Sequence, residues 1–184
     1  VARTHLRSDR AQDGSAIQDS PVIRIDSMLS ELAAVPAVVR FPIGLLAAVI
    51  AVLGMDQVMA RTTEGTTPPY VAASVLTGRP VDDAPDRLAS VVHYLAGLGT
   101  GLLFVYCSLV AERVAGGSAV GTVVGTTLVL YVLMVVFFLV VPLPRAVGLD
   151  DTRRATTGRA WAIAAAGYLV VLVPVVTGVT LAVA

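Results

Sequence analysis

"VAGGSAVGTVVGTTLVLYVLMVVFFLVV", residues 114–141, runs for 28 residues without one charged side chain. An α-helix rises about 1.5 Å per residue, so roughly 20 apolar residues cross a hydrocarbon core of about 30 Å. This stretch exceeds that length, and its expected solvent is lipid. Three further stretches qualify. Residues 41–60 are interrupted only by Asp56 and Gln57, residues 88–111 hold His93 as their only ionisable group apart from the thiol of Cys107, and residues 161–184 carry no charge. The composition agrees: 14% of residues are charged and 56% hydrophobic, against about 25% charged in ordinary soluble domains.

Backbone amides and carbonyls in lipid must be satisfied within their own segment, so these spans are expected to be helices. The short alternating segments of a β-barrel are absent. The sequence therefore predicts an all-α polytopic membrane protein, with four transmembrane helices in two hairpins forming one domain over residues 37–184. Residues 1–36 are polar and lack helical periodicity, which predicts a disordered tail. They also lack the basic segment running into a short apolar stretch that marks a signal peptide. Val1 is an unusual first residue, and Met28 opens a stretch leading into the first span, so Met28 is the expected natural start and residues 1–27 an over-extended reading frame.

Sidedness is read from arginine, because the chain has no lysine. Arg61, Arg79, Arg87, Arg145, Arg153, Arg154 and Arg159 lie in the connections after spans one and three, while Arg40 and Arg113 flank the membrane on the other side, where the tail adds Arg3, Arg7, Arg10 and Arg24 as a counterweight if it belongs to the natural protein. The positive-inside rule places loops 61–87 and 142–160 in the cytoplasm and both termini outside. Trp161, beside Arg159, fits an interfacial anchor on the cytoplasmic side.

The first loop carries a helix signal of its own. Thr67 is a candidate N-cap, Pro68 and Pro69 suit a first turn, Gly78 suits a C-terminal stop and Pro80 lies beyond it. About ten residues of helix are too few to cross, so this segment is expected to be interfacial or re-entrant, either completing a loop or lining a cavity. The second loop, with Pro and Gly punctuation and mixed charge, reads as a solvated connection.

Packing signals are the most specific feature. Gly117, Gly121 and Gly125 recur every four residues and line one helix face, a glycine zipper that lets a neighbouring backbone approach. Gly97 and Gly101 give span two a similar face with Ala96 and Thr100, and Gly44, Ala48 and Ala51 do so in span one. The zipper is expected to pack within the chain, with a second copy as the alternative.

Asp56 lies about 6 Å below the end of span one by helical rise, and His93 lies at nearly the same depth in span two. An ionised carboxylate in hydrocarbon is costly and an imidazole partner lessens that cost. Asp56, His93, Met59 and Arg61 therefore form a candidate intramembrane polar site. At 100° per residue His93 shares the face of Gly97, Thr100 and Gly101, whereas Asp56 falls roughly 110° from the Gly44, Ala48, Ala51 and Met55 face and is expected to reach for the headgroups.

No cofactor or metal site is expected. His5 and His93 are the only histidines and Cys107 the only cysteine, too few for a bis-histidine haem or a multi-ligand zinc site in one chain. Cys107 lies about 21 Å along the helix from His93 and reads as a small packing residue. No catalytic residues are assigned, and phosphate loops, Ser/His/Asp sets and HExxH are absent. "DQVMAR", residues 56–61, loosely resembles the D-G-x-x-A-R core of the CDP-alcohol phosphatidyltransferases. Gln57 replaces the glycine, Leu53 stands at the preceding aspartate, and Tyr70 and Ser74 occupy the later glycine and aspartate positions, so the metal-holding carboxylates are missing.

The chain as a whole resembles small four-helix integral membrane proteins of high-GC prokaryotes. Its lack of lysine and its ten aspartates to three glutamates are similar to the habit of halophilic archaea. That likeness is one of composition and implies no activity. Two function classes follow: a non-catalytic membrane subunit or assembly component packed through glycine faces, or a small transporter or channel with a cytoplasmic-side His93 and Asp56 site. Conduction needs polar groups through the membrane depth, and spans three and four offer mainly Thr and Tyr, which favours the subunit. The expected partners are the lipid bilayer and either a second copy or another membrane protein, without nucleic acid.

Overall fold

A computed structural model describes residues 35–115 and 119–183, together with Ile25 and Ser27. The expected disordered tail and the start at Met28 fall almost wholly outside these residues, as does Gly117. Four long helices dominate: α1 (Ala37–Met59), α3 (Asp86–Ala115), α4 (Ala119–Val140) and α6 (Asp151–Ala182), with shorter α2 (Thr67–Thr77) and α5 (Pro142–Arg145) between them. All four long helices are long and apolar enough to cross a membrane, as the uncharged runs require.

The punctuation works locally as chemistry demands. Gly78 ends α2 in the left-handed region at φ 69°, and its N–H donates to the Ser74 carbonyl, a conformation that a Cβ would strain. Asp150 caps α6 by accepting the Arg153 N–H at 2.8 Å, satisfying one of the orphan donors of a helix start. At 32 residues α6 is about 48 Å long and outreaches the hydrocarbon thickness. Its first turns, with Arg153, Arg154 and Arg159, belong to the loop end of the bundle.

Each long helix packs on its sequence neighbour, and α6 closes back on α1. The seam between α1 and α3 is built from small residues. A Cβ at Gly101 would sit 2.8 Å from the Gly44 carbonyl oxygen and closer still to Ala48 Cβ; one at Gly44 would clash with Val105, and one at Gly97 with Val52. Contacts step by four residues up α1 and by four down α3, so the helices run antiparallel at near-backbone contact. This is the small-residue packing on which helix association in lipid depends, since lipid tails are as apolar as leucine and give helices no hydrophobic reason to associate. The dense core lies between α1 and α6, where Ala47, Ala48, Ala51, Met55, Ala164, Tyr168 and Leu172 are buried.

By contrast, α4 is peripheral. Of its residues only Thr126, Leu130 and Phe138 are buried, and the Gly121 and Gly125 face is exposed. A Cβ on Gly125 would meet nothing within 4 Å. The expected intrachain zipper is therefore not formed at Gly125. The close approach falls instead on Gly44, Gly97 and Gly101, where facing residues are small on both helices. Large apolar side chains such as Leu128, Val132 and Phe137 point outward, a surface that suits lipid as solvent.

The second loop differs from a solvated connection. Leu143, Ala146 and Leu149 are buried against Val71 and Val81 of the first loop. Val81 N–H donates to the Val147 carbonyl at 2.9 Å, and Ser74 Oγ accepts from Val147 N–H while donating to the Arg79 carbonyl. Arg153 completes the join, with Nε 3.1 Å from Glu64 and both terminal nitrogens 2.9 Å from the Asp82 carboxylate. Alternating Pro, Gly and apolar residues were sufficient to build a cap from the two loops, which the mixed charge concealed.

Candidate functional site

The α1 row that contacts α3 continues from Gly44, Ala48 and Val52 to Asp56, and the α3 row from Val105, Gly101 and Gly97 to His93. At the loop end of this seam the two polar residues therefore face one another. His93 Nε2 and Asp56 Oδ1 are 2.8 Å apart, and Tyr94 Oη donates to Asp56 Oδ2 at 3.1 Å. The His93 side chain is 9% exposed and that of Asp56 30%, so the imidazole is enclosed while the carboxylate reaches the bundle edge. The headgroup-facing direction expected for Asp56 is thus corrected. A face centred on Ala51 and Met55 points to the bundle core, whereas the row through Val52 is the one that meets α3.

The other two candidates stand apart. Met59 is buried in the core, and Arg61, just beyond α1, donates to the Gln57 carbonyl of that helix, where a cation suits the negative helix end. Neither is bonded to Asp56 or His93.

His93 also lines a cavity of about 230 Å³. Met55 contributes from α1, Pro68, Pro69 and Ala72 from α2, Gly97 and Thr100 from α3, Met134, Phe137 and Phe138 from α4, and Trp161 and Tyr168 from α6. The polar groups around it are mostly engaged. Trp161 Nε1 donates to the Met134 carbonyl at 3.1 Å, Tyr168 Oη to the Gly97 carbonyl at 2.7 Å and Thr100 Oγ1 to the Ala96 carbonyl at 2.8 Å. Trp161 also stacks on Phe138 with ring centroids 4.7 Å apart, so it is a wall of the cavity as well as a residue of the loop end. His93 keeps one ring nitrogen for a further bond. Its Nδ1 has no hydrogen-bond partner among the described residues.

A second ion pair closes the opposite end of the seam. Arg40, 6% exposed, makes two bonds to Glu112 at 2.6 and 2.8 Å. The sequence carries the signal for it, since Glu112 is the one acid at the end of span two and Arg40 is the flanking cation at the start of span one. Between Arg40–Glu112 and Asp56–His93 the seam is filled by Gly, Ala and Val in contact. No group of three or more His, Cys, Asp or Glu residues arranged to hold a metal exists among the described residues.

Outside the spans, Asp82 has its carboxyl held below the ordinary range by the hydrogen bonds from Arg153, and Tyr70 Oη, donating to Asp86 at 3.1 Å, has its phenol raised by that bond. Comparison with protein-family models, curated proteins and solved structures finds no significant match, so function is argued from this geometry.

Proposed function

We propose that the chain is a non-catalytic multi-pass membrane protein that binds a small, largely apolar molecule from the bilayer, with the Asp56–His93 pair as its polar contact. One observation carries the reading: an enclosed imidazole, oriented by a carboxylate, borders an apolar cavity walled by all four long helices and by α2. Binding sites of this kind are mostly apolar with a few placed polar groups, and an ionisable residue inside a membrane span is a functional candidate by default. In this reading α2 lies at the membrane interface as a wall of the site, and loops 61–87 and 142–160 face the cytoplasm.

Binding is preferred to conduction because the seam between the two ion pairs is close-packed by Gly, Ala and Val. Photolabelling in nanodiscs with a lipid-dissolved aryl diazirine tests this directly. Adducts are expected to concentrate on the cavity residues of α3, α4 and α6 and to be lost in a cavity-filling Ala72→Phe variant. Uniform labelling of the lipid-facing surface would remove the binding reading. Proteoliposomes that move protons or cations, with flux lost in His93→Ala, would replace it by transport.

A second reading, a subunit held in a larger assembly, draws on α4. Gly121 and Gly125 line an open groove together with Thr126, whose buried hydroxyl has no hydrogen-bond partner among the described residues. A stable complex dissolved by Gly121→Leu would support it.

A further inference from the structure

We infer that the cavity takes the ring of a membrane-dissolved quinone or quinol, its oxygen on His93. The inference rests on the binding reading above and adds the class of ligand.

Access comes first. Ala96 and Phe137, which border the cavity from α3 and α4, are exposed on the outer surface of the bundle. The space therefore opens between those two helices towards lipid, and a ligand with an aliphatic tail can enter sideways and leave its tail in the bilayer. The volume, about 230 Å³, suits a ring with small substituents and excludes a whole lipid.

The lining selects shape and polarisability. Phe137, Phe138 and Trp161 offer aromatic faces and edges, and Met55 and Met134 offer thioethers. Aromatic rings favour offset or edge contacts with one another, and sulfur packs well against ring edges. A flat conjugated ring gains more from this wall than an acyl chain does.

The polar group then sets the head chemistry. With His93 Nε2 engaged by the Asp56 carboxylate, the neutral ring leaves Nδ1 as an acceptor, and the protonated ring leaves it as a donor. A quinol hydroxyl donates to the first form and a quinone carbonyl accepts from the second. Both redox forms of one ligand thus find a partner without a second polar residue. A fatty-acid carboxylate is disfavoured, because it adds a second anion beside Asp56. Only binding is inferred, and no electron transfer is assigned to this chain.

Trp161 is the only tryptophan of the chain and a wall of the cavity, so its fluorescence reports occupancy. Full-length protein in nanodiscs is titrated with a decyl-tailed benzoquinone, and in parallel with bromobenzene, an apolar quencher without a hydrogen-bonding head. The expected result is saturable quenching by the quinone, weakened about tenfold or more in His93→Phe and less than about threefold in His93→Gln, as the loss or retention of one hydrogen bond predicts. Should His93→Phe fail to fold, Ala72→Phe takes its place and is expected to abolish saturable quenching. Equal quinone affinity in wild type and His93→Phe, or unchanged saturable quenching in Ala72→Phe, overturns the inference. Saturable quenching by bromobenzene with only linear, collisional quenching by the quinone overturns the quinone class while leaving the binding reading in place. Linear quenching by both overturns the two together.

Discussion

Replacing Gly101 by alanine adds a single carbon at the tightest point of the α1–α3 seam. That carbon lies 2.8 Å from the Gly44 carbonyl oxygen, where an ordinary C···O contact is about 3.3–3.6 Å, and it meets Ala48 Cβ at shorter range. Neither obstacle is the flexible end of a side chain, so the helices must part by about 1 Å, overpacking that typically costs about 1–3 kcal/mol. Alanine repays about 0.5–1 kcal/mol through its better helix propensity, so at the middle of both ranges overpacking wins and the net loss is about 1 kcal/mol. For a chain of this length that is a fall in Tm of roughly 2–4 °C. The same parting carries the Asp56–His93 separation from 2.8 Å towards about 3.8 Å, beyond hydrogen-bonding distance. Thermal unfolding in nanodiscs, followed by reaction of the single Cys107 with a thiol-reactive dye, measures the stability change. Gly99→Ala is the control, since its Cβ meets nothing within 4 Å and propensity alone makes it neutral or stabilising. Gly101→Ala as stable as Gly99→Ala would refute the close seam.

Three further outcomes follow from the geometry. Arg40→Met leaves Glu112 partly buried without its partner and is expected to cost about 2–4 kcal/mol, somewhat below the range for fully buried pairs; adding Glu112→Gln is expected to restore most of it, read by the same unfolding assay. Thr126→Val removes a buried hydroxyl that has no hydrogen-bond partner among the described residues, so it is expected to be neutral or to stabilise by up to about 1 kcal/mol, whereas a loss of stability would reveal a partner for that oxygen. Because Asp82 has a lowered pKa in the folded state, its contribution is fully present above the ordinary carboxyl range and lost as pH falls through the depressed value. Protection of the amides in residues 79–84 against hydrogen exchange, taken relative to the intrinsic rate at each pH, should therefore fall on acidification in wild type, and Arg153→Gln should show the lowered protection already at neutral pH.

The spans were legible because lipid imposes a length and an apolarity that few other structures share. Gly97 and Gly101 were legible for a related reason, since a small residue every four positions is useful only where another backbone approaches. Gly125 carries the same pattern, yet a Cβ there would meet nothing within 4 Å, because periodicity marks a face and does not say what covers it. Asp56 was misdirected by a choice between two adjacent rows of α1: Val52, a larger residue, lies in the row that meets α3 and was not counted with the small ones. Arg40–Glu112 joins residues 72 positions apart, and only the antiparallel register makes them neighbours. The cavity was the least legible feature. Its walls come from all six helices, and Trp161, Phe138 and Met134 have ordinary sequence roles until α4 and α6 bring them together.

The Asp56–His93 hydrogen bond joins α1 and α3 at the loop end of the bundle. Solid-state 15N NMR of histidine-labelled protein in bilayers reads it directly, with His5→Gln leaving His93 as the only histidine. The expected spectrum places the proton of the neutral ring on Nε2, shifted by a strong hydrogen bond, and the Asp56→Asn variant is expected to lose that shift. A His93 spectrum that is the same with aspartate or asparagine at position 56 would contradict the account.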